Sequence, residues 1–143
     1  MIKKWKGNYK YDSQKSQEII GHSCTYFTIE MEINEDNTLK GTVKDDEQSG
    51  GMKGIGIIYG EVHKNLIYFE KQMPHRSILD PLTGLRESFD DKHPVIYYVG
   101  KQFDKNKYTG TWEFGKKWAF LFGFIPFRYC PGKGTWEMEL DLN

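Results

Sequence analysis

Gly110-Thr111-Trp112-Glu113 returns as Gly134-Thr135-Trp136-Glu137. Each copy lies in an alternating run, with large apolar groups at one parity and Thr, Glu or Lys at the other. A period of two is the signature of a half-buried strand. A strand pattern that recurs implies one sheet using the same solution twice.

Working outward, six more strand-like runs appear, of which 54–62 and 66–71 alternate less clearly. The eight runs are 5–11, 27–33, 39–44, 54–62, 66–71, 95–103, 107–114 and 134–142. In 27–33, Phe27, Ile29, Met31 and Ile33 share one face, while Thr28, Glu30 and Glu32 share the other. The connectors Asn34-Glu35-Asp36-Asn37, His63-Lys64-Asn65 and Asp104-Lys105-Asn106 are short and rich in turn-forming side chains. Short turns favour pairing between chain neighbours. No long helical period is present. Many short strands with clean alternation predict an all-β fold. A meander of eight strands removes its exposed edges by closing on itself. The expected architecture is therefore a single eight-stranded antiparallel up-and-down β-barrel of lipocalin-like form, spanning residues 1–143 as one domain.

Two stretches break the rhythm. Residues 72–94 carry Pro74, Pro81, Gly84 and Pro94 and read as a long loop with room for a helical turn. Loops of this length in a compact domain are commonly functional. Residues 115–133 read as a second, apolar loop. Its Trp118-Ala119-Phe120-Leu121-Phe122-Gly123-Phe124-Ile125-Pro126-Phe127 does not alternate, and Pro126 argues against a central strand. The 118–127 segment has three readings: a plug over one barrel end, the contact of a homodimer, or a loop dipping into a membrane interface. Membrane insertion is the least favoured.

Twenty basic residues balance twenty acidic ones, which leaves no charge pole to attract nucleic acid. Aromatics make up 15% of the chain, so the core must rest on Trp, Tyr and Phe. Met1-Ile2-Lys3-Lys4-Trp5-Lys6 has no apolar run behind its lysines, so no signal peptide is expected and the expected location is cytoplasmic. In that compartment Cys24 and Cys130 are expected to be buried thiols rather than a disulfide.

Gly110-Thr111-Trp112, Gly134-Thr135-Trp136 and Asn37-Thr38-Leu39-Lys40-Gly41-Thr42-Val43 resemble the strand motifs of avidin-type barrels. The opening Trp5-Lys6-Gly7 resembles the first-strand Gly and Trp of lipocalins and fatty-acid-binding proteins, in inverted order. The last run carries no Lys or Arg to pack on that Trp. The resemblance covers about thirty residues. It implies a calycin-like barrel and the habit of holding one small ligand, and it transfers no particular site residue.

Trp5, Tyr9, Tyr11, Phe27, Trp112 and Trp136 fall on apolar strand faces, so a closed barrel brings them inside. They are the candidate ligand-binding residues. They would form an aromatic pocket for a small apolar or planar molecule, with Tyr hydroxyls setting its orientation. The competing reading is a filled core, because an eight-stranded barrel can be just wide enough for its own side chains. Gly7, Gly41, Gly110 and Gly134 share those faces.

Catalytic and metal motifs are not visible. The sequence shows no nucleophile elbow, phosphate loop or dinucleotide fingerprint, and no cofactor is expected. His22, His63, His75 and His93 lack zinc-binding spacing. Asp45-Asp46-Glu47 and Asp90-Asp91 read as solvated loop charge, and Tyr97 and Tyr98 as strand residues that pack. The expected function is non-catalytic binding of a small apolar ligand. Two alternatives stay open. One is an enzyme at the barrel mouth using His75, Asp80, Arg86 and His93. The other is an interaction module built on 118–127.

Overall fold

Alternation along each run becomes pairing between runs. The computed structural model describes residues 1–14, 17–18, 21–75, 77–79, 86–88, 95–114, 117–121, 125–129 and 133–142. Its strands are β1 (Lys3–Tyr11), β2 (Thr25–Ile33), β3 (Thr38–Asp45), β4 (Ile55–His63), β5 (Leu66–Gln72), β6 (Ser77–Leu79), β7 (Arg86–Ser88), β8 (Ile96–Asp104), β9 (Lys107–Phe114), β10 (Lys117–Leu121), β11 (Ile125–Tyr129) and β12 (Lys133–Leu140). Eight of them close into a barrel in the order β1-β12-β9-β8-β5-β4-β3-β2, all pairs antiparallel. Strand order around the wall follows chain order, as the short turns predict.

The two long connections each contain a hairpin of their own. β6 pairs with β7 inside 72–94, and β10 pairs with β11 inside 115–133. Sequence reading treats Pro126 as a strand breaker, yet it lies in β11 opposite Phe120. In a two-stranded ribbon each strand keeps one unpaired edge, so a missing N–H need not remove a ladder bond. The exposure of the 118–127 side chains lies outside the described residues, and so does any plug, dimer or membrane contact they make.

The repeat that opens the sequence is a matched pair. β9 and β12 align so that Gly134 faces Trp112 and Gly110 faces Trp136. Trp112 lies over Gly134 of the other copy, while the Trp136 ring reaches on to Gly100 of β8. A side chain at Gly134 would meet the Lys10 carbonyl and the Trp112 ring, and one at Gly110 would meet the Val99 carbonyl. Both indoles bond into the backbone that the glycines leave open. Trp112 Nε1 donates to the carbonyls of Lys10 and Thr135, both at 3.1 Å, and Trp136 Nε1 to those of Thr111 (3.0 Å) and Val99 (3.2 Å).

The two ends of the barrel differ. Turns 34–37, 64–65 and 105–106 lie at one end. There Thr38 bonds Asp36 Oδ1 through its N–H (3.1 Å) and its hydroxyl (2.6 Å), and Asn37 takes a left-handed φ of 68°. Those bonds hold the Asp36 carboxyl below the usual range. All four long connections, 12–24, 46–54, 73–95 and 115–132, leave from the opposite end. We refer to these as the turn end and the loop end.

Candidate functional site

Period-two alternation carries two charges into the core. In β3, Leu39, Gly41, Val43 and Asp45 point inward; in β5, Ile67, Phe69 and Lys71 do. Asp45 and Lys71 are both 2% exposed. Their contact is direct, Lys71 Nζ to Asp45 Oδ1 at 2.6 Å. The second carboxylate oxygen accepts from the Tyr9 hydroxyl and the Met52 N–H, each at 3.3 Å. The ammonium stands over the rings of Tyr9 (4.9 Å), Tyr98 (5.8 Å) and Phe27 (6.0 Å). This is a cation held by one carboxylate and three aromatic faces, an arrangement favoured by the ring quadrupole once water is removed.

The pair lies just below the loop end. Above it the 46–54 connection folds back onto the wall. Asp46 caps a 3-10 turn, Glu47–Ser49, by accepting from Gln48 N–H, and Gly50 ends it with φ 94°. Ser49 ties this loop to β2, accepting from Thr25 Oγ1 at its carbonyl (2.8 Å) and from Tyr26 N–H at its hydroxyl (3.0 Å). Met52 and Met73 are buried beside the pair. Burial pushes the Tyr98 phenol well above its ordinary value, and the charge of Asp45 adds to this. Among the described residues no buried side-chain polar atom lacks a partner.

The six candidate aromatics divide among three levels. Tyr9, Tyr11, Phe27 and Trp112 meet at the loop end, with ring centroids at 4.9 Å for Tyr11–Trp112, 5.7 Å for Tyr9–Trp112 and 6.4 Å for Tyr9–Phe27. Trp136 belongs to the middle, against Phe69 (5.5 Å) and Tyr98 (5.7 Å). Trp5 lies at the turn end against Tyr108 (5.5 Å). The ring contacts thus place the six at three levels of the interior.

Several other expectations change. Asp45 is not solvated loop charge: it ends β3 on the inner face and is fully paired. Sequence reading stopped the third run at Lys44 and gave Lys71 no role. Carrying the third alternation one step further, from 43 to 45, and following the fifth to its last residue, Lys71, places both charges inside. Cys24 is a free, partly exposed thiol rather than a buried one, and Cys130 lies outside the described residues. Asp80, Asp90, Asp91 and His93 are also outside them, so the His75–His93 pairing is not described. No group of three or more His, Cys, Asp or Glu placed to hold a metal occurs among the described residues. Tyr97 and Tyr98 separate, the first on the outer wall and the second inside.

Two grooves among the described residues run along the outer wall and bear on function. The larger, about 610 Å3, crosses β12, β1, β2 and β3, and its charged lining alternates Lys6, Lys44 and Lys107 with Asp46, Glu137 and Glu139. Its charges are mixed in sign and open to solvent, which makes it a weaker recognition site than the desolvated pair inside. Compared with protein-family models, curated proteins and solved structures, the chain matches none.

Proposed function

We propose that this protein is a non-catalytic, calycin-like binding barrel that takes a small apolar or aromatic ligand at the loop end of its interior. The observation that carries this reading is the Lys71–Asp45 pair, caged by aromatic rings beneath the end that bears every long connection. An ion pair buried this deeply is weak support for stability, because desolvation offsets most of its Coulomb gain. A recognition role accounts for it better. The apolar body of a ligand would lie against Tyr9, Tyr11, Phe27 and Trp112, with the pair and the Tyr9 hydroxyl as polar anchors. Met52 and Met73 supply the adaptable surface, since thioether chains repack at low cost. Because packed rings occupy the lower levels, entry displaces the 46–54 loop rather than opening a channel through the barrel.

The test is a titration of delipidated protein with apolar fluorophores, following Trp emission. Saturable binding at a Kd below about 100 µM is expected, weakened at least tenfold by Trp112→Ala and little changed by Trp5→Phe. Absence of saturable binding across the panel would remove the reading and leave the interior as a structural core.

A further inference from the structure

The outer wall of β4, β5 and β8 carries a second arrangement, independent of the interior. Its outward positions are unusually apolar, with Ile55, Ile57, Leu66 and Val99 all at least half exposed. Set in this face are two carboxylates, the partly buried Glu70 and the exposed Glu61. The strand register puts Tyr59 on one side of Glu70 and Tyr97 on the other, while Tyr68, two residues earlier in β5, faces Glu61. Tyr59 and Tyr97 are thus two strand spacings apart, about 10 Å. Tyr59 therefore stands directly across the ladder from Glu70, and Tyr68 shares its strand face. The neighbouring Glu70 raises the Tyr59 phenol above its ordinary value, and burial followed by the Glu70 charge does the same for Tyr68.

These groups edge a groove of about 440 Å3 lined by Tyr59, Glu61, Tyr68, Glu70 and Lys40. Glu70 is only partly exposed, and among the described residues neither it nor Glu61 forms an ion pair. Lys40, the one cation at the rim, bonds to neither. A half-buried carboxylate beside two tyrosines, with no ion-pair partner among the described residues, is complementary to a positive group.

The kind of cation follows from the walls. A hard metal ion needs six or more oxygen ligands and gains nothing from aromatic faces. A primary ammonium is strongly hydrated and holds its water. An alkylated ammonium is weakly hydrated, and its methyl groups pack on tyrosine rings while its charge meets the carboxylate. We propose that this groove binds organic cations of the trimethylammonium type, with Tyr59 and Tyr68 as the aromatic contacts and Glu70 as the counter-charge.

Choline and tetramethylammonium are the probes, titrated calorimetrically against the folded protein with sodium chloride matched in the reference. Saturable binding in about the millimolar range is expected. Glu70→Gln should weaken it at least tenfold and Tyr59→Ala several-fold. Tyr59→Phe, which keeps the ring, should retain most of the affinity, and Lys40→Ala should tighten binding about twofold. Circular dichroism of each variant separates loss of the site from loss of the fold. Phosphatidylcholine vesicles form a second arm. Co-sedimentation that Glu70→Gln abolishes would identify a lipid headgroup as the source, whereas binding of free choline alone would identify a soluble one. Failure of both cations to saturate, or equal binding by wild type and Glu70→Gln, overturns the proposal. Apolar-fluorophore binding at the loop end should be the same in Glu70→Gln as in wild type, so the two sites are judged separately.

Discussion

Trp136 lies in the barrel because Gly100, on β8, leaves room for its ring. It is 2% exposed and both flanking carbonyls accept its N–H. Truncation removes the ring and leaves two acceptors unpaired. Trp136→Ala should therefore lower stability by about 3–5 kcal/mol, and urea denaturation would read this directly. A loss below about 1 kcal/mol would mean that the ring is not in the core. The Asp45–Lys71 pair permits a sharper experiment. Lys71→Met alone strands a buried carboxylate and should destabilise by about 3–5 kcal/mol. Adding Asp45→Asn keeps an acceptor for Tyr9 and Met52 while removing the orphan charge, so the double variant should regain more than half of that loss. If the double variant is as unstable as Lys71→Met, the charge is not what the interior fails to tolerate.

At the level of elements, the strands were legible and the exceptions were not. Polarity alternates wherever one strand face meets the core, so 27–33, 107–114 and their like can be read from residue type alone. Asp45 and Lys71 obey the same alternation but carry the wrong polarity for it, so a reading by residue type left Asp45 out of its run and gave the inward Lys71 no role. The β6–β7 and β10–β11 hairpins left no alternating signal in 72–94 or 115–133. The convergence of Tyr59, Tyr68 and Tyr97 on Glu70 depends on register between three strands, which no single run contains. The β4–β5 turn is a further element with a readable defect. Lys64 takes a φ of 56°, a left-handed conformation that side chains with a Cβ adopt at a cost and Gly adopts freely. Lys64→Gly should raise stability by about 0.5–1 kcal/mol in thermal or urea unfolding. A decrease would show that the lysine makes a contact outweighing the strain.

For the whole molecule, the two ends divide the work. The turn end and the middle hold the packed rings of Trp5, Tyr108, Trp136 and Phe69, and the loop end holds the charge and the adaptable methionines. Buried phenols give this arrangement an alkaline limit. Burial raises Tyr98 well above the ordinary tyrosine value and raises Tyr108 in the same direction. A raised folded-state value means the neutral form is favoured by the fold. Its contribution is complete below about pH 10, where tyrosines of the unfolded chain begin to ionise, and it is lost as pH climbs toward the folded value. The urea midpoint should therefore fall between pH 9 and 11, and the fall should be shallower in Tyr98→Phe. Equal slopes in the two proteins would assign the alkaline loss to other groups.

The seam between β1 and β12 has a consequence for the order of synthesis. β1 is made long before its partner β12, and until then it offers an unpaired edge. Within nine residues it carries Lys3, Lys4, Lys6 and Lys10, and charged lysines on an edge discourage pairing with other chains. β12 brings Glu137 and Glu139 to that edge. Glu139 meets Lys6 at 3.8 Å, and Glu137 accepts from Asn8 at 3.2 Å. These groups are half exposed, so they add little to final stability. Their effect is on encounter: a nascent lysine edge repels its own kind and attracts the one late strand that fits. Refolding should slow as salt is raised toward 1 M, because screening weakens that attraction. Lys6→Glu should slow it further, and Lys6→Glu with Glu139→Lys should restore the rate. A stopped-flow rate indifferent to both salt and charge reversal would show that closure is guided by the apolar face alone.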